Sequence, residues 1–114
     1  MALTYNLNKV HAISDNDVEF AKQIVVLFIE EVPAEMKNIK QGMKEKDHEK
    51  VYHAAHKIKP TLDLLGMDLA YEDVTTIETW SRNEGKKKEI KEVIKTLKGR
   101  VNETLKELKK DYHL

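Results

Sequence analysis

The segment from His53 to Met67 reads HAAHKIKPTLDLLGM, and it lies within the clearest helical pattern of the chain. Residues three, four and seven apart share one face of an α-helix. Apolar residues recur at that spacing here, namely Val51, Ala55, Ile58, Leu62 and Leu65. The pattern predicts a helix that begins at Asp47, buries this stripe and ends at Gly66, because glycine readily adopts the left-handed backbone that follows many helices.

Two helices are predicted before this segment. Ser14 or Asp15 is expected to start the first, since both residue types cap helices well, and apolar residues recur at helical spacing from Ala21 to Val32. Pro33 is expected in the first turn of the second helix, where its missing N–H leaves no hydrogen bond unmade. Residues 36–43 continue that second helix on one face.

Two more helices are predicted after the segment. Asp68 is expected to cap the fourth helix, whose apolar stripe consists of Ala70, Val74 and Ile77. After a turn at residues 83–85, the fifth helix keeps its apolar residues in line from Ile90 to Leu108, and Gly99 weakens it without breaking it.

These elements predict an all-α fold. Short connections make neighbouring helices antiparallel, so we expect an antiparallel up-and-down four-helix bundle with a short additional N-terminal or connecting helix. Residues 1–114 are predicted to form a single domain. Residues 1–13 of it are read as an N-terminal arm with one packed stretch from Val10 to Ile13.

Composition limits the partners. The 20 basic and 20 acidic residues balance, so no net charge draws the chain to nucleic acid or to an anionic membrane. No apolar run is long enough to span a bilayer, the N-terminal MALTYNLNKV lacks a signal-peptide pattern, and cysteine is absent. We therefore expect a cytoplasmic protein that binds neither nucleic acid nor a membrane. Because the apolar stripes are consistent with one bundle, a monomer is expected.

The least ordinary chemistry of the predicted third helix is centred on His56. This residue lies about 100° around the helix from Ala55, so it should project at the edge of the core. A neutral imidazole is a competent nucleophile toward phosphorus, and the ammonium of Lys59, one turn further on, can offset phosphoryl charge. No glycine-rich phosphate-binding loop is present, so the chain is expected to hold a phosphoryl group without obtaining it from ATP.

The stretch AAHKIKPTLDLLGM resembles the signature of the histidine-containing phosphotransfer (HPt) domain family. That signature reads roughly Ala-His-x-Leu-Lys-Gly, followed by a few small residues and Leu-Gly. The matching residues of this chain are Ala55, His56, Ile58, Lys59, Leu65 and Gly66. The upstream stretch LFIEEVPAEMKNIKQGMKEKD, from Leu27 to Asp47, also looks like the family's approach to this helix.

The resemblance implies a two-component phosphorelay in which His56 is the phosphorylated nucleophile and Lys59 stabilises the phosphoryl group. It implies receiver domains of response regulators and a hybrid sensor histidine kinase as partners. Mg²⁺ would be bound by the receiver, so no cofactor of its own is expected, nor is autonomous kinase activity. The residues expected to contact the partner are Tyr52, His53, Pro60 and Asp63.

Two residues depart from the family pattern. Pro60 stands where the family usually has glycine, and it cannot donate a backbone hydrogen bond to the carbonyl of His56. Because the apolar register continues past Pro60, a bent but unbroken helix is predicted. Asp63 stands where a neutral polar residue is usual, about 10 Å along the helix axis from His56, and is expected to bias docking.

Three alternatives remain open at this point. A helical bundle of this kind can act as an unphosphorylated scaffold that only binds a signalling partner. Glu45 and His48 match one Glu-x-x-His motif of di-iron bundles, but no second copy exists and the core stripes are read as free of carboxylates. His53 shares the helix face of His56 and is a second, less favoured phosphoryl acceptor.

Overall fold

The computed structural model describes residues 4–114, and within them every regular element is a helix. The five helices are α1 (Asn8–Ser14), α2 (Val18–Glu45), α3 (His48–Leu64), α4 (Asp68–Arg82) and α5 (Lys87–Asp111). The all-helical prediction is therefore confirmed. None of the five is long and apolar enough to cross a membrane.

The start of α2 differs from the prediction. The helix begins at Val18 and not near Ser14, which is the last residue of α1. Asp17 is the N-cap, and its carboxylate accepts hydrogen bonds from the backbone N–H groups of Glu19 and Phe20. A side chain that satisfies two of the free N–H groups fixes the helix start at this residue.

The predicted break at Pro33 is wrong, because α2 is one continuous helix of 28 residues with Pro33 inside it. Proline removes one hydrogen bond to the carbonyl four residues earlier. Val32 and Ile39, before and after the proline, are both fully buried. The buried face thus extends across Pro33, and tertiary packing stabilises the helix where the local sequence favours a stop.

Residues 1–13 were predicted to form an arm, and residues 1–3 of that arm lie outside the described part of the chain. The described part contains helix α1 and buried side chains, so it is more ordered than an arm. Val10 is fully buried, whereas Ile13 is 67% exposed, so the packed stretch does not extend as far as predicted. Tyr5 is buried as well, and its hydroxyl donates a hydrogen bond to a carboxylate of α5. The N-terminal segment is thereby attached to the last helix.

Helix α3 packs against α2 on one side and α4 on the other. Its predicted stripe is entirely buried, at Val51, Ala55, Ile58, Leu62 and Leu65. Asp47 caps its N-terminus by accepting from the backbone N–H of Lys50, and Gly66 follows its end with a φ of +64°. These features confirm the predicted position of the helix that carries His56.

Three finer predictions have different outcomes. Helix α3 continues through Pro60, so the expectation that proline does not break it is confirmed, while the bend stays a prediction. Helix α5 likewise continues through Gly99. Asp68 is not the cap of α4: it is the first helical residue, and the N-cap is Met67, whose side chain makes no capping hydrogen bond.

Candidate functional site

His56 lies on the face of α3 that borders α4, at the edge of the core, as predicted. Its side chain is 64% exposed. The ring is nevertheless fixed on one side, because Nδ1 lies 2.7 Å from the Oε2 atom of Glu78 on α4. Among the described residues, no hydrogen bond to Nε2 is found, which leaves the outer nitrogen accessible.

Glu78 is the central acceptor of the site. Its side chain is only 10% exposed, and its two carboxylate oxygens bind different groups: Oε2 contacts His56, and Oε1 accepts a hydrogen bond from Nζ of Lys59 at 2.8 Å. Burial by itself raises the pKa of Glu78, but the hydrogen bonds and charges of Lys59 and His56 outweigh it, so this pKa lies below its ordinary value. The carboxylate is ionised at neutral pH.

An ionised acceptor on Nδ1 decides which tautomer a neutral imidazole adopts. Nδ1 must carry the proton to donate to Glu78, so Nε2 of His56 carries the lone pair. The lone pair is on the exposed side of the ring, where an electrophilic phosphorus atom can approach it. A neutral histidine held in this way is ready to act as a nucleophile without prior loss of a proton.

Lys59 supplies a cation one turn further along α3. The hydrogen bond to Glu78 raises the pKa of Lys59 above its ordinary value, so the ammonium stays protonated. Its Nζ atom also lies 5.2 Å from the centroid of the Tyr71 ring, a cation–π distance. The side chain is 24% exposed, so the ammonium is held at the surface of the groove between α3 and α4.

Tyr52 lies one turn before His56 on the same face. The two rings are nearly parallel, with an interplanar angle of 8° and centroids 5.7 Å apart. The hydroxyl of Tyr52 accepts a hydrogen bond of 2.6 Å from Nη2 of Arg82, whose Cζ atom also lies 4.9 Å from the tyrosine centroid. The imidazole is thus bordered by an aromatic ring that is itself held by α4.

The family comparison agrees with this geometry. The sequence model of the Hpt domain family matches residues 23–111. This range is most of the chain and includes every residue of the site. This chain belongs to the Hpt domain family. No curated protein and no solved structure matches it. Hpt domains take part in histidine phosphotransfer within phosphorelays as phosphoryl carriers, and they interact there with receiver domains and kinases.

The other predicted contact residues of this Hpt domain surround the site without joining its hydrogen-bond network. His53 is exposed, and its Nε2 lies 3.4 Å from a carboxylate oxygen of Glu49. Pro60 is exposed on the outer face of α3. Asp63 forms an ion pair of 2.6 Å with Lys9, which attaches α1 to the far end of α3.

Glu78 is missing from the residues predicted from the sequence. It follows Val74 by four positions and Ile77 by one, so it borders the apolar stripe of α4. An acidic residue at the edge of an apolar stripe is the sequence feature that could have indicated it. The expectation that the core stripes lack carboxylates is wrong, since Glu78 and Glu35 are both buried as whole residues.

The residues of the predicted half of a di-iron motif have other partners in this Hpt domain. Glu45 accepts hydrogen bonds from Gln41 and Lys50. The Nε2 atom of His48 lies 2.9 Å from the backbone carbonyl of Gly85. These two side chains therefore join helix ends and connections, and they do not converge on a common point.

Proposed function

We propose that this Hpt domain carries a phosphoryl group on Nε2 of His56 and passes it between aspartates of receiver domains in a two-component phosphorelay. One observation carries the proposal: an exposed imidazole has its Nδ1 bound to an ionised, nearly buried carboxylate that also binds a lysine ammonium. The remaining nitrogen is accessible, nucleophilic and next to a cation. An unphosphorylated scaffold needs none of these features.

The transfer step follows from this arrangement. The Nε2 lone pair of His56 attacks the phosphorus of a receiver's phospho-aspartate as the bond from phosphorus to the aspartyl oxygen breaks. The electron pair of that bond leaves with the aspartate carboxylate. Nδ1 keeps its proton, and Glu78 stabilises the positive charge that develops on the ring. Any Mg²⁺ involved would be held by the receiver, where it would offset the charge of the departing carboxylate.

Lys59 has a second role in the proposal. Its ammonium has three donors, of which Glu78 accepts one, so others can reach phosphoryl oxygens beside His56. The contact strengthens as the phosphoryl group arrives and stabilises the phosphorylated state. Contacts to the receiver surface are assigned to Tyr52, His53 and Pro60, and Asp63 biases the docking.

The proposal includes a single domain in an antiparallel up-and-down arrangement, acting as a cytoplasmic monomer. Contacts between α3 and α4 support opposite chain directions, because Tyr52, His56 and Lys59 meet Arg82, Glu78 and Tyr71 respectively. Two residues join α2 to α3 and three join α3 to α4, which is too few for a crossover. A receiver or a hybrid sensor kinase supplies the phosphoryl group.

A transfer assay with two histidine variants tests this function. Receiver domains of the source organism, phosphorylated in the presence of Mg²⁺, are incubated with the wild-type chain, His56→Gln and His53→Gln. We expect acid-labile phosphate on the wild type and on His53→Gln and none on His56→Gln. Label that persists in His56→Gln would move the carrier to another residue. No label on the wild type from any receiver would favour the scaffold.

A further inference from the structure

Two pairs of a cation and a tyrosine lie on opposite sides of His56 along the groove between α3 and α4. On one side, Lys59 lies over the ring of Tyr71. On the other side, Arg82 lies over the ring of Tyr52 and donates to its hydroxyl. The His56–Glu78 contact lies between the two pairs, so the reactive ring has a cation to either side of it.

The charges explain why the second cation matters. A transferred phosphoryl group carries a charge of about −1.5 to −2. The form of His56 that acts as a nucleophile is neutral, and the charge of Lys59 is matched by that of Glu78, to which it is bonded. The nearby Lys57 is bound to Glu35. The inner site therefore has no surplus positive charge for a phosphoryl group.

Arg82 is placed to supply that surplus. It is exposed, and within residues 4–114 it forms no ion pair; its guanidinium donates to the neutral hydroxyl of Tyr52. It lies one helical turn beyond Glu78 on α4, on the side of His56 away from Lys59. A guanidinium is always charged, and its planar fork matches two phosphoryl oxygens at once.

We infer that Arg82 is a second phosphoryl-binding residue, whose guanidinium leaves the Tyr52 hydroxyl and binds the phosphoryl group on His56. The inference rests on the proposed function and deepens it. In the resting protein, the hydroxyl of Tyr52 holds the guanidinium beside the reactive ring without neutralising it. Lys59 and Arg82 then contact the phosphoryl group from opposite sides.

The inference makes Arg82 and Tyr52 behave differently in a kinetic test. Arg82→Gln removes the cation and should slow the reaction. Tyr52→Phe keeps the ring beside His56 and the charge of Arg82 but removes the hydroxyl that holds the guanidinium, so it should slow the reaction less than Arg82→Gln does. If Arg82 acted only by holding the Tyr52 ring in place, both substitutions would slow the reaction to the same extent.

The assay uses potassium phosphoramidate, a small phosphoryl donor that needs no docking surface. The rate of His56 phosphorylation is measured in the full chain at saturating donor, with Lys91→Gln, an exposed lysine of α5, as a control of equal charge change. We expect Arg82→Gln to lower the rate by about tenfold, the effect of one lost charge-assisted hydrogen bond. Arg82→Lys should retain part of the rate, and Lys91→Gln should match the wild type.

Three results would overturn the inference. Arg82→Gln could react within twofold of the wild type, or Tyr52→Phe could slow the reaction as much as Arg82→Gln does. Arg82→Gln could also slow transfer from a receiver but not from phosphoramidate, which would make Arg82 a docking residue. In all three cases His56 is still labelled, so the proposed function survives; absence of label on the wild type from both donors would reject both proposals.

Discussion

Helix α3 is bound on both sides by a nearly buried glutamate, and the two glutamates differ in one respect. Glu78 of α4 binds Lys59 at 2.8 Å, and Glu35 of α2 binds Lys57 at 3.0 Å; each glutamate side chain is 10% exposed. Glu78 also binds the exposed ring of His56. The two glutamates thus share burial and an ion pair, and Glu78 differs by its contact with the exposed imidazole to which we assign the phosphoryl group.

The groups that donate hydrogen bonds to the two glutamates clarify the difference. Burial raises the pKa of each glutamate, but the hydrogen bonds lower it by more, so both pKa values lie below the ordinary value. Both carboxylates are therefore ionised at neutral pH. The additional donor to Glu35 is Asn38, one turn along the same helix, at 3.0 Å. Glu35 therefore joins α2 to α3, and Glu78 joins α4 to α3 and also orients His56. Substitutions at the two sites should have similar effects on stability and different effects on phosphorylation.

The largest difference is expected between Glu78→Ala and Glu35→Ala. Without Glu78, His56 loses the acceptor that fixes its tautomer and stabilises its developing charge. Loss of a hydrogen bond to a charged group is equivalent to about 1.5–3 kcal/mol, so the rate of His56 phosphorylation should fall by about ten- to a hundredfold. Glu35→Ala should keep the wild-type rate. The measurement is incorporation of acid-labile phosphate over time.

Both variants should lose stability, because each leaves a lysine of α3 without its partner. Urea unfolding therefore accompanies the kinetic assay, and rates are compared under conditions in which both variants are fully folded. Equal rates for the two variants would remove the distinction between the glutamates. Glu78 would then be a structural residue like Glu35.

The positions of His56 and Lys59 were predictable from the sequence, and the position of Glu78 was not. A spacing of three residues fixes the first two on one helix face, because α-helical geometry is local. Glu78 reaches His56 only because α4 packs beside α3, and a pattern along one chain segment holds no information on that register. In addition, a polar residue at the edge of an apolar stripe is normally interpreted as the first residue of the exposed face.

The two prolines show the same division between local and tertiary information. Pro33 was expected to start a helix, a sound inference from its missing N–H. The structure keeps α2 continuous, because apolar residues pack on both sides of the proline. For Pro60, the unbroken apolar register past the proline indicated a continuous α3, and the structure agrees. Continuity of the buried stripe was the better guide at both positions.

A smaller difference is expected between Lys57 and Lys59, the two lysines that follow His56 in the sequence. Lys59→Met removes the ammonium beside the phosphoryl group. Two quantities are measured, the rate of phosphohistidine formation and the lifetime of phosphohistidine, and at least one of them should fall by about tenfold. Lys57→Met removes a cation of equal charge whose ammonium is bound to Glu35. It should leave both quantities within twofold of the wild type. A matching loss in Lys57→Met would mean that general positive charge near α3 matters and the position of Lys59 does not.

The smallest effect concerns acid stability, where the two glutamates should agree. Their pKa values are lower in the folded protein than the ordinary value of 4.5, so the unfolded chain binds more protons as the pH falls below that value. The stabilisation by each carboxylate is therefore complete above about pH 4.5 and is lost as the pH falls through the folded pKa. Glu78→Gln and Glu35→Gln should each reduce the free energy of unfolding by about 1 kcal/mol at pH 7, and this difference from the wild type should shrink toward zero near pH 3. Burial raises the pKa of Asp73, but Asp73 is present in all three proteins and cancels in the comparison. The result could instead show this pH-dependent loss of unfolding free energy for Glu78→Gln alone. The ion pair of Glu35 would then add no stability, and the two sides of α3 would differ in structure as well as in chemistry.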